Sequence, residues 1–298
     1  MMATYPNRNF EVHGPTTDTI EGGRNGLSTS WVALLKGVSM RVARRRFFDS
    51  ETSQINPFWR GQLLLFDRPR APTYSSGEGL RLLLVFLFLE VIVRPLFSAG
   101  ARWLSIAGLG WWSLIEVSLP TALGCWLVIS FARVRLSQLG LHSWLHWSKT
   151  EKFYLLQIVP ITIVVFSFFA WLDLKALWAS PHLREIASFI FLPKLIWGFY
   201  QEFLYRGLLQ TELVRRWGTR TGILVSNLIF TVGPLHAYHF RTALMNPSHL
   251  WIFAAIFAIG FFFALIFRRS GNLWIVGIMH GLGDWFIDGL AQVARMAS

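Results

Sequence analysis

The sequence predicts an all-α fold: a polytopic bundle of about seven transmembrane helices with a cytoplasmic N-terminus. Three observations predict it. Hydrophobic residues make up 53% of the 298 positions and charged residues only 15%, a balance too apolar for an ordinary water-soluble domain. From about residue 79 the apolar residues gather in runs of roughly 18 to 25, the length that crosses a hydrocarbon core of about 30 Å. Basic residues flank alternate connections between those runs, as the positive-inside rule requires. A β-barrel would instead show shorter, alternating segments.

The elements follow in order. Residues 1–78 form a polar, basic tail with no span-length apolar run and no secretory leader pattern. Within it, Trp31 to Phe48 mixes apolar residues with Lys36, Arg41 and Arg44 to Arg46, a composition suited to lying along an anionic membrane surface. Residues 79–298 form the transmembrane domain, with spans at roughly 80–99, 108–132, 153–171, 185–212, 222–240, 249–267 and 272–293. Arg133, Arg135, Lys149 and Lys152 fall between the second and third spans, Arg215, Arg216 and Arg220 between the fourth and fifth, and Arg268 and Arg269 between the sixth and seventh. All three connections share a side with the Arg-rich tail, which places the N-terminus inside and the C-terminus outside.

Composition also excludes some functions. The net charge of +12 comes from residues at span ends, not from a basic patch interleaved with aromatics, so the partner is the lipid bilayer and not a nucleic acid. Fifteen Trp fit the two membrane interfaces. Cys125 is the one cysteine, which excludes an intrachain disulfide and any Cys-based metal site. No internal repeat is evident, which weighs against a transporter built of two related halves. Walker, dinucleotide-binding, HExxH and Ser-nucleophile motifs are absent.

Ionisable residues inside the last four spans carry the functional signal, because burying them in lipid is costly. Span four holds Lys194, Gln201, Glu202 and Arg206; span five ends with His236 and His239; span seven holds His280, Asp284 and Asp288. Glu202 and Arg206 are four residues apart, as are His280 and Asp284, so each pair shares a helix face. At about 1.5 Å per residue, Glu202, His280 and His236 all fall near the membrane midplane.

Peptide hydrolysis needs a water, a base and donors for the oxyanion. Glu202 with His236 would polarise the water, and His280 supported by Asp284 would donate to the oxyanion. Arg206 would keep Glu202 ionised and oriented. Glu202, His236 and His280 also form a set able to ligate a metal.

These residues resemble the motifs of the CPBP family, the type II CAAX prenyl proteases and bacteriocin-processing Abi proteins. Its EExxxR-Gly motif is matched by Gln201, Glu202, Arg206 and Gly207, its Phe and His by Phe230 and His236, and its HxxxN or HxxxD by His280 and Asp284. The resemblance covers about residues 185–293. Gln201 stands where the family has its first Glu, and the Phe-to-His spacing is longer than usual, so His239 competes with His236 for the motif position. The resemblance implies an endopeptidase acting on a membrane-associated peptide or protein, in a bacterial inner membrane. Its chemistry is either glutamic-type, with no cofactor, or zinc-dependent. Gln201 opens a second reading, a peptide-binding scaffold or immunity factor that does not cleave.

Overall fold

The computed structural model describes residues 74–106 and 112–297. The surface-lying segment expected at Trp31 to Phe48, and the tail before Tyr74, lie outside the described residues. Every regular element among the described residues is helical.

Helix α1 (Ser76–Leu87) begins where Ser75 and Glu78 form a reciprocal cap. The Glu78 amide donates to Ser75 Oγ at 3.3 Å and the Ser75 amide to Glu78 Oε2 at 2.6 Å, satisfying two N–H groups that a helix start leaves free. The helix runs through a π-helical turn, Phe88–Val93, into α2 (Arg94–Ile106). Pro95 accounts for the wide turn: it has no N–H, and its ring crowds the carbonyl four residues back. Helix α3 (Trp112–Leu127) ends in a similar turn, Val128–Ala132, and stops at Arg133, which is left-handed at φ 59°. Helix α4 (Lys149–Phe169) opens on a second reciprocal cap, Ser148 with Glu151.

Among the described residues, four stretches are long and apolar enough to cross a membrane: Ser76–Gly100, Ser113–Ala132, Lys149–Phe169 and Leu250–Ser270. Their outward faces are apolar. Leu156, Val164 and Phe168 on α4, and Leu250, Trp251 and Ile259 on the last stretch, are exposed. Water would penalise such a surface and lipid does not.

Between α4 and the site lies α5 (Trp171–Ala179), a short helix in a stretch that the sequence left as a connection. Helix α6 (Pro181–Glu202) follows, with Ser180 as its cap and Pro181 in its first turn, and continues into a π-helical turn, Phe203–Gln210. Helix α7 (Thr211–Val232) breaks at Gly218, where φ is 78°, a backbone angle that glycine adopts without strain. Helices α8 (Ala237–Met245), α9 (Leu250–Ser270), α10 (Leu273–Asp284) and α11 (Leu290–Ala297) complete the chain, with a π-helical turn, Trp285–Gly289, between the last two.

The expected span at 222–240 differs from the structure at its end. Helix α7 stops at Val232, Gly233 is extended, and His236 sits on a 3-10 turn, Pro234–His236. Pro234 has no N–H to continue the helical ladder, so His236 is carried by a turn and not by a helix.

Helices α6 and α10 make the seam that matters most for the site. A Cβ at Gly198 would strike the backbone of His280 and Gly281, and a Cβ at Gly281 would strike the backbone of Leu195. The two helices therefore touch main chain to main chain, as small residues permit in membrane helix pairs. One turn beyond Gly198 lies Glu202, and beside Gly281 lies His280. The close approach fixes the register between them.

Candidate active site

Arg206 is the centre of the buried polar network. Its side chain is fully enclosed, with Nε donating to Glu202 Oε2 at 3.1 Å and Nη2 to the Gly260 carbonyl at 2.9 Å and Asn227 Oδ1 at 3.3 Å. Asn227 in turn donates through Nδ2 to the Phe257 carbonyl at 2.9 Å. The guanidinium also lies over the Phe230 ring, 5.0 Å from its centroid, a favourable arrangement for a desolvated cation. One side chain thus ties α6 to α7 and α9.

Glu202 is equally enclosed, and both its oxygens are committed. Oε2 faces Arg206, and Oε1 lies 2.7 Å from His280 Nδ1. An ionised carboxylate only accepts, so Nδ1 carries the proton. The other ring nitrogen, Nε2, lies 3.6 Å from Asp284 Oδ1, and the His280 and Asp284 side chains are 12% and 18% exposed. Gln201 Nε2 donates to the second Asp284 oxygen, Oδ2, at 3.0 Å. The chain of contacts runs Arg206, Glu202, His280, Asp284, Gln201, passing from α6 to α10 and back.

His236 reaches the same region from its turn. Its Nδ1 donates to the Phe230 carbonyl at 2.6 Å, which leaves Nε2 with the lone pair. Phe230 is the common wall, its ring centroid 4.9 Å from His236 and 6.0 Å from His280. His239 sits in the first turn of α8 with its ring 5.9 Å from His236. His236 packs edge-on against Phe230. Asp288 faces outward, 64% exposed, and reaches Lys194 at 3.8 Å.

The structure adds two ionisable residues that the sequence reading passed over. Glu90, in the wide turn of the first span, is buried and accepts at Oε1 from Arg94 Nε (3.2 Å) and Nη2 (3.1 Å). That turn packs against the His236 turn. The signal was present as an ionisable pair four residues apart in FLEVIVRPL.

Outside the spans, Tyr74 shows how tightly this end of the bundle is closed. Burial, reinforced by the nearby Glu212 charge, pushes its hydroxyl far above the ordinary phenol range.

Among the described residues, no group of three or more His, Cys, Asp or Glu side chains is arranged to hold a metal ion. Both Glu202 oxygens are held by protein donors, Arg206 and His280, while each histidine is engaged through Nδ1 and keeps Nε2. As arranged, the carboxylate is committed within the network and Glu202, His236 and His280 do not form a three-ligand set.

Residues 183–286 match the family model described as Rce1-like, type II CAAX prenyl endopeptidase Rce1-like. The matched segment runs from the first turn of α6 to the turn after α10, and so contains every residue of the network. No curated protein and no solved structure matches the chain.

Proposed function

We propose that the chain is an intramembrane endopeptidase that hydrolyses a membrane-associated peptide or protein, with the buried network from Gln201 to Asp284 as its active site. The contact between Glu202 and His280 carries the reading: a carboxylate with no solvent exposure orients an imidazole whose side chain is partly exposed. A packing role would be served by the Glu202–Arg206 pair alone. Directing the carboxylate onto a second helix orients that helix's imidazole, the kind of positioned donor that hydrolysis uses. The peptidase family matched over 183–286 supports the same class of chemistry.

Each group has a task in this reading. Arg206 offsets the charge of Glu202 and holds its carboxylate in place. Glu202 fixes the His280 ring by accepting from Nδ1. His280 then presents Nε2 to the reacting centre, and Phe230 holds His236 on the same side. No step is routed through a metal, since the donors do not converge on one.

Seven crossings, with the N-terminus inside, complete the reading. The four long apolar stretches account for four crossings. The network helices α6, α7 and α10 supply the others, their polar residues turned toward one another and away from lipid. We place the protein in a bacterial inner membrane.

The test is incubation of the purified full chain in nanodiscs with a membrane-peptide library that includes farnesylated peptides, followed by mass spectrometry of the products, with and without a chelator. Cleavage that is lost in His280→Ala supports the site. Intact peptides under all conditions, together with retained peptide binding, would favour the scaffold reading that Gln201 motivates. Cleavage abolished by the chelator would show that a metal enters despite the donor geometry.

A further inference from the structure

Hydrolysis needs a base, and the base is not obvious here. Gln201, in the position where EExxxR places its first Glu, has no proton-accepting carboxylate. Glu202 has no exposed surface, and each of its oxygens is held by a protein donor. A carboxylate that cannot meet water cannot activate it.

Asp284 differs on both counts. Its side chain is partly exposed, and only one of its oxygens is firmly held, by Gln201 Nε2 at 3.0 Å. The other, Oδ1, faces His280 Nε2 at 3.6 Å, beyond hydrogen-bond distance but close enough for one water to touch both atoms. Resting on the peptidase reading above, we infer that Asp284 is the general base of this site and that Gln201 is the residue that positions it, the carboxylate and the amide having exchanged helices relative to an EExxxR and HxxxN pair.

The exchange preserves the chemistry of the pair. An EExxxR helix facing HxxxN has two carboxylates, one amide, one guanidinium and one imidazole. The present chain has the same groups, with the amide on α6 as Gln201 and the carboxylate on α10 as Asp284. With Glu202 and Asp284 ionised, Arg206 charged and His280 doubly protonated, the four charges cancel inside the bundle. His280 then donates from Nδ1 to Glu202 and offers its Nε2 proton to the developing oxyanion.

The step balances. Water oxygen bonds to the scissile carbonyl carbon while one water proton passes to Asp284 Oδ1, and the carbonyl π pair becomes the oxyanion held by His280. On collapse the carbon–nitrogen bond breaks, and the amine leaves with the proton taken from Asp284. One water is consumed and two peptide ends are released.

The experiment compares the full-length wild type, Asp284→Asn, Gln201→Glu, Gln201→Ala and the double variant Gln201→Glu with Asp284→Asn, all in nanodiscs, on the membrane-peptide library above. Thermal melting confirms that each variant is folded. Asp284→Asn lowers turnover by about 10²- to 10⁴-fold, the usual contribution of a positioned base. The double variant recovers most of that loss, because the pair is again one carboxylate and one amide. Gln201→Ala raises KM little and lowers kcat, as loss of a positioning contact does.

Retention of wild-type turnover in folded Asp284→Asn overturns the assignment while leaving the peptidase reading intact. So does a double variant as inactive as Asp284→Asn, or cleavage by Gln201→Glu where wild type cuts nothing. Failure of every chain, the double variant included, to cut any peptide overturns the peptidase reading, and the base assignment falls with it.

Discussion

Two buried glutamates in this protein have the same local partners and different ends. Glu202 and Glu212 are each fully enclosed, and each is paired with an arginine on its own helix. Glu212 binds Arg215 at 2.6 Å and also Arg216, and both arginines keep part of their surface in solvent. The Arg215 guanidinium lies over the Tyr74 ring, and a Cβ at Gly79 would collide with the Glu212 carboxylate. This knot fastens the start of the first span to the start of α7, and its charges lead outward to water. The Glu202 network leads the other way: its arginine is sealed, and its second oxygen points to an imidazole on another helix. Local pairing is therefore common to a clamp and to a candidate active site. What separates them is where the carboxylate's remaining hydrogen-bonding capacity is directed.

That contrast can be broken by experiment. The largest effect is expected at Arg206→Leu, which leaves Glu202 buried without its cation; removal of one partner of a buried pair costs about 3–5 kcal/mol. Thermal melting in detergent would show it, and an unshifted Tm would mean that Glu202 is neutral in the folded protein. His280→Ala comes next, with turnover reduced about 10²- to 10³-fold, the scale of one lost oxyanion donor, and a melting temperature close to wild type. Equal turnover would return His280 to a packing role.

Smaller effects sharpen the comparison. Gly198→Ala forces a methyl group against the α10 backbone and should cost about 1–3 kcal/mol, as overpacking does; turnover should fall with it, because the same displacement parts Glu202 from His280. At the opposite cluster, Glu212→Gln should cost about 1 kcal/mol, since both arginines can turn to water. Its kcat and KM should match wild type, and a fall in kcat would show that the Glu212 knot communicates with the site.

Much of this was legible in the sequence, for definite reasons. Spacings of four residues put Glu202 with Arg206, and His280 with Asp284, on shared faces, because helical geometry alone fixes that. The contact between Glu202 and His280 was not legible at atomic detail. It depends on the register of α6 against α10, which is set by Gly198 and Gly281 meeting backbone to backbone. The pairing of Gln201 with Asp284 was hidden for the same reason. His236 was expected on a span and sits on a turn, although Gly233 and Pro234 beside it are the residues that end helices. Glu90 and Arg94 lie in the span farthest in sequence from the motifs, and only tertiary packing brings their turn to His236.

The position of Arg206 on the same helix as Glu202 bears on how the protein is made. Synthesis reaches α6 before Asn227, Gly260 or His280 exists, so for a time the helix must survive with none of its later partners. On the proposed seven-crossing arrangement, a lone carboxylate arriving in the bilayer would be expelled. The arginine one turn later offsets the charge from within the helix itself, and the segment can wait as a neutral unit. Only when α7, α9 and α10 arrive does the guanidinium gain its contacts to Asn227 and Gly260, and the carboxylate its contact to His280. The nascent chain thus carries its own temporary counterion, and assembly of the bundle converts that counterion into the site's permanent anchor.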